Sequence, residues 1–465
     1  MNNSPRIYAL KNLPPETVAV TFAKCSRSSE PFDVIAQELT EQKSAEFNEK
    51  WVVNYGHGSV AEHAFMNVAI ENVSLIAVET IQANRLASFT EKSSRYQVYN
   101  RDRVHVPKIL YYDARLLSAY LDAINQLFNF YEKAIEPVRH RIMELYPNTN
   151  NDPDPIYQAK IKSKWIDVVR FALPNACLAN LGMSANARTM EYAITKMLSH
   201  PLEEVREIGE SVKKVALEIT PTLVKYANKN DFYNKNEKLI FEESSKLNGN
   251  NPGLYNRNNQ LSVDLIDYTE DAEEQIIAAT LFRNNHLTLR ETREVADNMT
   301  EQEKAEFFEK IFSEARNIYD KPPRELEYPY YTFDVLLDQG AYYDLKRNRI
   351  MTQTPQLLTA DYGYFTPKMF DELGIGDDYR QAMDQAHNTA KMIAEKYPYE
   401  AQYITTKATA RRFVMKMNLR EAFYFIGLRS RQGGHFTYRK IAQMLHEQMM
   451  RVHPNLAKHI MVDNS

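Results

Sequence analysis

The sequence predicts an α+β protein built from two homologous repeats. Three observations carry this. A charged segment occurs twice: Thr40-Glu-Gln-Lys-Ser-Ala-Glu-Phe-Asn-Glu-Lys50 and Thr300-Glu-Gln-Glu-Lys-Ala-Glu-Phe-Phe-Glu-Lys310 share eight of eleven residues. Each copy is followed by a run whose apolar residues alternate with polar ones. Each run then leads to an arginine motif, and the matches fall in the same order in both halves.

The alternating run of the first copy places Met66, Val68 and Ile70 between Asn67, Ala69 and Glu71, the pattern of a half-buried strand. Its counterpart places Phe333, Val335 and Leu337 beside Thr332 and Asp334. Helical stretches then end at Asn84-Arg85 and at Asn348-Arg349, an offset of 264. Further on, Asn186-Ala-Arg188 matches Asn418-Leu-Arg420 at an offset of 232, each with a tyrosine four residues later, Tyr192 and Tyr424. The drifting offset means insertions, mostly a longer middle in the first copy. Between the copies lies an Asn- and Lys-rich stretch that reads as a polar linker, because such composition cannot bury a core. The expected organisation is a first repeat over 1–227, a linker over 228–262 and a second repeat over 263–465.

Composition narrows the function classes. Apolar content of 44% and charged content of 25% are ordinary for a soluble globular chain of 465 residues. No run approaches the roughly 18 apolar residues that span a bilayer, and the opening residues lack the apolar core of a signal peptide. Two cysteines, Cys25 and Cys177, cannot build a disulfide framework, so a reducing cytoplasm is expected. A net charge of −4 gives no bulk attraction to nucleic acid or membrane, so any anionic ligand must be met by local arginines. The tyrosine-interleaved stretch from Arg95 to Arg103 would suit a single-stranded nucleic acid, and the net charge opposes it.

Several segments could carry chemistry. His57-Gly-Ser59-Val-Ala-Glu62-His63 precedes the first strand, and its glycines indicate a loop, not the helix that a histidine-pair metal site needs. No metal is expected. Glu91, Ser93 and Arg95 are spaced by two, so an extended segment would point all three the same way. A hydroxyl and a guanidinium on one side can clamp a phosphate; a solvated surface run is the alternative. Asn418 and Arg429 lie about three helical turns apart and share a face. Gly433-Gly434, in a glycine-poor chain, permits a close backbone approach just before His435 or marks a helix end.

Together these residues resemble the flavin-dependent thymidylate synthases. That family carries a His-rich loop of the form HxxxxEH before a strand, matched by His57, Glu62 and His63. A segment like RHRIASxxExSxRY follows, and LASFTEKSSRY reproduces its second part with Ser93 at the signature serine. An arginine before a Leu-Pro pair appears as Arg170, and an Asn-x-Arg appears as Asn186 with Arg188. The second copy supplies Arg347-Asn348-Arg349, Asn418 with Arg420, and Arg429 at the position of the family's catalytic arginine. The departures are complementary. The first copy reads Ala83-Asn84-Arg85 for Arg-His-Arg and Met197 for the catalytic arginine; the second has Pro355, Leu357 and Thr359 for Glu, Ser and Arg.

The resemblance implies repeats that each hold an antiparallel sheet flanked by long helices. It implies conversion of dUMP, or a similar pyrimidine nucleotide, to its methylated product, with methylenetetrahydrofolate and NADPH as co-substrates and FAD as cofactor. Arg429 becomes the catalytic candidate, and Glu91, Ser93, Arg95, Arg170 and Arg347 the substrate-binding candidates. His57, Ser59, Glu62, Asn84, Arg85, Asn186, Arg188, Asn348, Arg349, Asn418, Arg420 and His435 are the cofactor-binding candidates. In the family each nucleotide site is shared between subunits, so the losses here imply one composite site per chain. A homodimer would then form a pseudo-tetramer. A non-catalytic flavin or nucleotide binder is the rival expectation.

Overall fold

The computed structural model of the chain describes residues 5–149, 152–248 and 260–465. Among the described residues, seven strands form two antiparallel sheets. In the first, β1 (Phe65–Ser74), β3 (Leu178–Asn186) and β2 (Ser88–Glu91) run in the order β1-β3-β2. In the second, β4 (Ser262–Tyr268), β5 (Tyr330–Asp338), β7 (Ala410–Asn418) and β6 (Thr352–Pro355) run in the order β4-β5-β7-β6. The first three strands and β5-β7-β6 are copies of one unit, and β4 is an added edge.

Strand register fixes the equivalence residue by residue. Phe65 pairs with Asn186 as Tyr330 pairs with Asn418, and Glu91 pairs with Leu181 as Pro355 pairs with Phe413. The alternation read from the sequence is real: Met66, Val68 and Ile70 are buried in β1, and Phe333, Val335 and Leu337 in β5. The recurring charged segment opens a helix in both copies, because Thr40 and Thr300 each accept a backbone N–H three residues on. Each first strand passes directly into a helix, Leu75–Gln82 or Gln339–Leu345, capped by Ser74 or Asp338.

The repeats are not separate packing units. Tyr343 and a run of residues from Leu358 to Ala408 join the buried core of the first repeat, while β5, β7 and the C-terminal helices close a second core. The segments Phe171–Cys177 and Tyr403–Thr409 cross antiparallel at the junction. There Asn175 N donates to Thr405 O at 2.8 Å and Lys407 N to Leu173 O at 3.0 Å. A relation that nearly exchanges the repeats therefore passes through this crossing.

Within the polar stretch 228–262 a polar helix occupies Asp231–Asn248 and β4 begins at Ser262; 249–259 lie outside the described residues. One expectation needs correction. The extended run through Glu91, Ser93 and Arg95 stops at Glu91. A turn takes over at 94–96, with Arg95 N donating to Ser93 Oγ, because a local hydroxyl acceptor competes with the strand ladder. No helix among the described residues is long and apolar enough to cross a membrane.

Candidate functional site

Arginines from both repeats meet at the junction. Arg95, on the turn after β2, grips Asp167 with Nε to Oδ1 at 2.8 Å and Nη2 to Oδ2 at 2.5 Å. Arg170, one turn beyond Asp167, is 1% exposed. Its Nη1 donates to Ser94 Oγ at 3.3 Å, and its Nη2 lies 3.5 Å from Asp344 Oδ2. Asp344 belongs to the second repeat and also pairs with Arg347. Arg429, at the end of the Leu419–Arg429 helix, donates from Nη2 to the Asp344 carbonyl at 2.9 Å.

Tyr438 joins the two halves of this cluster. Arg95 Nη1 donates to its hydroxyl at 3.2 Å, and the guanidinium carbons of Arg95 and Arg429 lie 5.9 and 5.4 Å from its ring centre. The Gly433-Gly434 pair makes this approach possible. Gly433 has φ +85, its carbonyl accepts Arg95 Nη2 at 3.1 Å, and a Cβ on Gly434 would lie 2.7 Å from the Tyr438 ring.

Four arginines thus face two carboxylates. Burial alone would raise the Asp344 carboxyl, but Arg170, then Arg347 and Arg95, outweigh it and hold it down at about 2. Burial lowers the Arg429 guanidinium. Arg429 Nε is buried with no hydrogen-bond partner. An excess of cationic donors over acceptors inside a protein is an anion-binding arrangement.

Behind the arginines, Asp338 caps its helix through Ala341 N at 2.8 Å, and burial pushes its carboxyl up to about 6. His435 caps the Phe436–Val452 helix and stacks on Phe171 at 5.8 Å, and burial keeps it neutral. It therefore lies with the arginines and away from the solvent face that holds most cofactor candidates. Deeper still, Lys407 and Lys346 set their ammonium groups 3.5 and 4.1 Å from the centre of the Tyr343 ring.

The remaining cofactor candidates divide in two. Four asparagines hold their own backbone: Asn84 and Asn348 donate to Ile81 O and Leu345 O, both at 2.8 Å, while Asn186 and Asn418 cap helices. Their equivalent positions in the two repeats do equivalent structural work. His57, Ser59, Arg85 and Arg349 are exposed, and Arg349 reaches across to Ala87 O at 3.0 Å. Arg188 pairs with Glu62 at 2.6 Å, and Arg420 with Glu327 at 2.8 Å, one pair per repeat. An open groove of about 520 Å³ lies beside Glu327, away from the junction arginines, between Phe282, Arg283 and Tyr328.

Glu91 accepts Gln82 Nε2 at 2.8 Å and stays half-buried near the cluster. Asp344, Asp167, Tyr438 and Lys407 were not singled out by sequence reasoning. Asp167 and Asp344 precede Arg170 and Arg347 by three residues, a helical pairing distance that would have found them. Tyr438 and Lys407 carry no local signal.

The equivalent position on the other side of the crossing has a different character. Met197 stands where Arg429 does and is 2% exposed, with its Cβ at 2.8 Å from where a Gly209 Cβ would be. Leu357 and Thr359 are partly buried, and Ala83 is exposed. Behind it, Ser74 takes the place of Asp338, and buried Glu204 accepts Ser74 N at 2.8 Å, Ser74 Oγ at 2.6 Å and Tyr403 Oη at 2.8 Å. Ala83, Met197 and Thr359 thus replace three of the four arginines, and this position lacks the cationic donors that an anion needs.

Comparisons with known proteins agree with the duplication. The family model described as thymidylate synthase complementing protein matches residues 10–222 and again 264–455. The chain is 30% identical to a UPF0159 protein of Chlamydia muridarum, covering 96% of this chain and 90% of that protein. It is 24% identical to a flavin-dependent thymidylate synthase of Clostridium tetani, covering 46% of this chain and 82% of that enzyme. A crystal structure of the Helicobacter pylori flavin-dependent thymidylate synthase complexed with FAD and dUMP aligns at 17% identity and TM-score 0.32, covering 47% of this chain and 96% of that one. The chain belongs to the thymidylate synthase complementing protein family and carries the family's domain twice.

Proposed function

We propose that this protein is a flavin-dependent, thymidylate synthase-type enzyme that methylates dUMP or a close pyrimidine nucleotide at one composite site per chain. The observation that carries the reading is the convergence of Arg95 and Arg170 with Arg347 and Arg429 around Asp344. The four arginines outnumber Asp167 and Asp344, a cationic excess of the sign that a phosphomonoester dianion requires. The first repeat contributes the loop, and the second contributes the exposed Arg347 and the half-buried Arg429.

In this reading Arg95, Ser93 and Arg170 hold the phosphate, with Arg95 kept in place by Asp167. Arg347 guards the open side. Arg429 is fixed by the Asp344 carbonyl and by Tyr438, so it is organised before the substrate arrives. It would stabilise negative charge developing on the pyrimidine ring, where a preorganised donor contributes about 3–4 kcal/mol. Both cysteines are absent from this cluster, which suits a chemistry without a thiol nucleophile.

The exposed residues that could hold the family's cofactor lie in two neighbourhoods, Arg188 beside the loop at Gly58 and Arg349 beside Arg85. Arg85, Arg188 and Arg349, with His57 and Ser59, would hold the pyrophosphate of FAD, and bound FAD supplies the passage of reducing equivalents from NADPH. Two chains would form the pseudo-tetramer, so light scattering should give about twice 54.1 kDa. The asparagines already committed to their helices favour a second reading, a nucleotide binder without turnover. Incubating the protein with dUMP, methylenetetrahydrofolate, FAD and NADPH separates the two. Formation of dTMP supports the enzyme, and bound dUMP that is never methylated supports the binder.

A further inference from the structure

Tyr438 stands where the two halves of the arginine cluster meet, and its counterpart in the first repeat is Val205. Each lies three residues past a helix cap, His435 for the Phe436–Val452 helix and Leu202 for Glu203–Ile219. Val205 is fully buried and apolar. Only the second copy has placed a hydroxyl at this point. Arg95, which touches that hydroxyl, has five N–H groups, and most are already engaged. Its Nε and one Nη2 hydrogen go to Asp167, the other Nη2 hydrogen to Gly433 O at 3.1 Å, and one Nη1 hydrogen to the Tyr438 oxygen at 3.2 Å. A single Nη1 hydrogen remains, too few for the bidentate grip that arginine gives a phosphate.

The Tyr438 oxygen accepts from Arg95, so its own proton points elsewhere, and no described residue accepts it. A phenol proton and a guanidinium hydrogen therefore lie side by side without acceptors. Space for one adjoins them. A Cβ on Gly434 would lie 2.9 Å from the Tyr438 oxygen, so the hydroxyl sits directly against the glycine pair. Gly433, whose carbonyl holds Arg95, is exposed, and a Cβ there would meet nothing within 4 Å. Tyr438 is buried, but its hydroxyl thus lies one residue from open space, on the side where Arg95 is half-buried and Arg347 is exposed.

We propose that Tyr438 is a phosphate-binding residue of the composite site, its phenolic proton donating to the same anion that takes the last Nη1 hydrogen of Arg95. The inference rests on the nucleotide reading above and deepens it, because one donor then comes from each repeat. The first repeat's own Val205 cannot supply such a donor. The ring of Tyr438 also carries the Arg429 guanidinium at 5.4 Å from its centre. A phosphate held by the hydroxyl is thereby set at a fixed distance from the arginine assigned to the pyrimidine, which is how a nucleoside monophosphate is positioned for reaction at its ring.

Calorimetric titration of dUMP, with inorganic phosphate as a displacing anion, tests this on the whole protein, on Tyr438→Phe and on a variant carrying 3-fluorotyrosine at position 438. Tyr438→Phe keeps the ring and removes the hydroxyl. It should weaken dUMP and inorganic phosphate alike, each by about tenfold or more, the scale of a lost hydrogen bond to a charged group. Its melting temperature should hold, because Asp167 and Gly433 still grip Arg95. The fluorinated phenol is more acidic, hence a stronger donor and a weaker acceptor, and should bind dUMP at least as tightly as wild type. A hydroxyl that served only to hold Arg95 would give weaker binding there instead. That result, an unchanged affinity in Tyr438→Phe, a loss confined to dUMP, or a lowered melting temperature would each overturn the assignment. Failure of the underlying nucleotide reading looks different: the wild-type protein would bind neither dUMP nor phosphate.

Discussion

The Asp344 carboxylate of the second repeat lies 3.5 Å from the Arg170 guanidinium of the first, and both residues are almost fully buried. This contact ties the loop-bearing repeat to the arginine-bearing one. Asp344 also pairs with Arg347, so a single carboxylate orients two of the four arginines.

Asp344→Ala should therefore destabilise the fold by about 3 kcal/mol, because it removes one of the two carboxylates that lie 3.5 Å from the buried Arg170 guanidinium. Denaturant unfolding at neutral pH measures this. The folded carboxyl titrates at about 2, below its unfolded value, so its contribution is present above about pH 4 and is lost as pH falls towards 2. The difference between wild type and variant should shrink over that window.

Arg429 gives a cleaner test of binding. Its direct polar contacts are a carbonyl and an aromatic ring, so Arg429→Ala breaks no ion pair. Nucleotide affinity should fall by about 2–5 kcal/mol with little change in stability. Met197→Ala, at the equivalent position of the other repeat, should do the reverse. It should lose about 2–5 kcal/mol of stability through a core cavity and keep full nucleotide affinity. Titration calorimetry and unfolding on both variants give the four values.

The buried lysines predict an alkaline gain in stability. Their folded values, about 7 and about 8, lie below the unfolded value, so between pH 8 and 10 the unfolded chain binds more protons. Stability should rise with pH across that range, by up to about 1.4 kcal/mol per pH unit for each lysine. The double variant Lys346→Met, Lys407→Met should flatten the slope. A wild-type slope that is already flat would show that both lysines stay charged.

Cys25 is exposed, while Cys177 is buried and its thiol is pushed up to about 12. A thiol reagent should titrate one cysteine in the native protein and two after unfolding.

The duplication, both first strands and the arginine motifs were legible because they depend on local order: alternation, caps and short spacings. The convergence of Arg95 and Arg170 with Arg347 and Arg429 was inferred from which residues each copy had lost. Asp344 was not foreseen, although its three-residue spacing from Arg347 would have found it. Lys407 could not have been. Its partner Tyr343 is 64 residues earlier in the chain, and only the antiparallel crossing brings them together. The asparagines show the opposite limit. Their matching positions suggested ligand contacts, yet capping at Asn186 and Asn418, and a bond back to the preceding turn at Asn84 and Asn348, ask for the same residue at the same place in both repeats.

The claim that the repeats share one site is tested most directly by counting nucleotides. Calorimetric titration of dUMP into the wild-type chain should give one site per chain, abolished by Arg429→Ala and retained in Met197→Ala. Two equivalent nucleotides per chain would contradict it, because the position around Ala83, Met197 and Thr359 would then have to hold an anion without the counterparts of Arg347, Arg429 and Arg95.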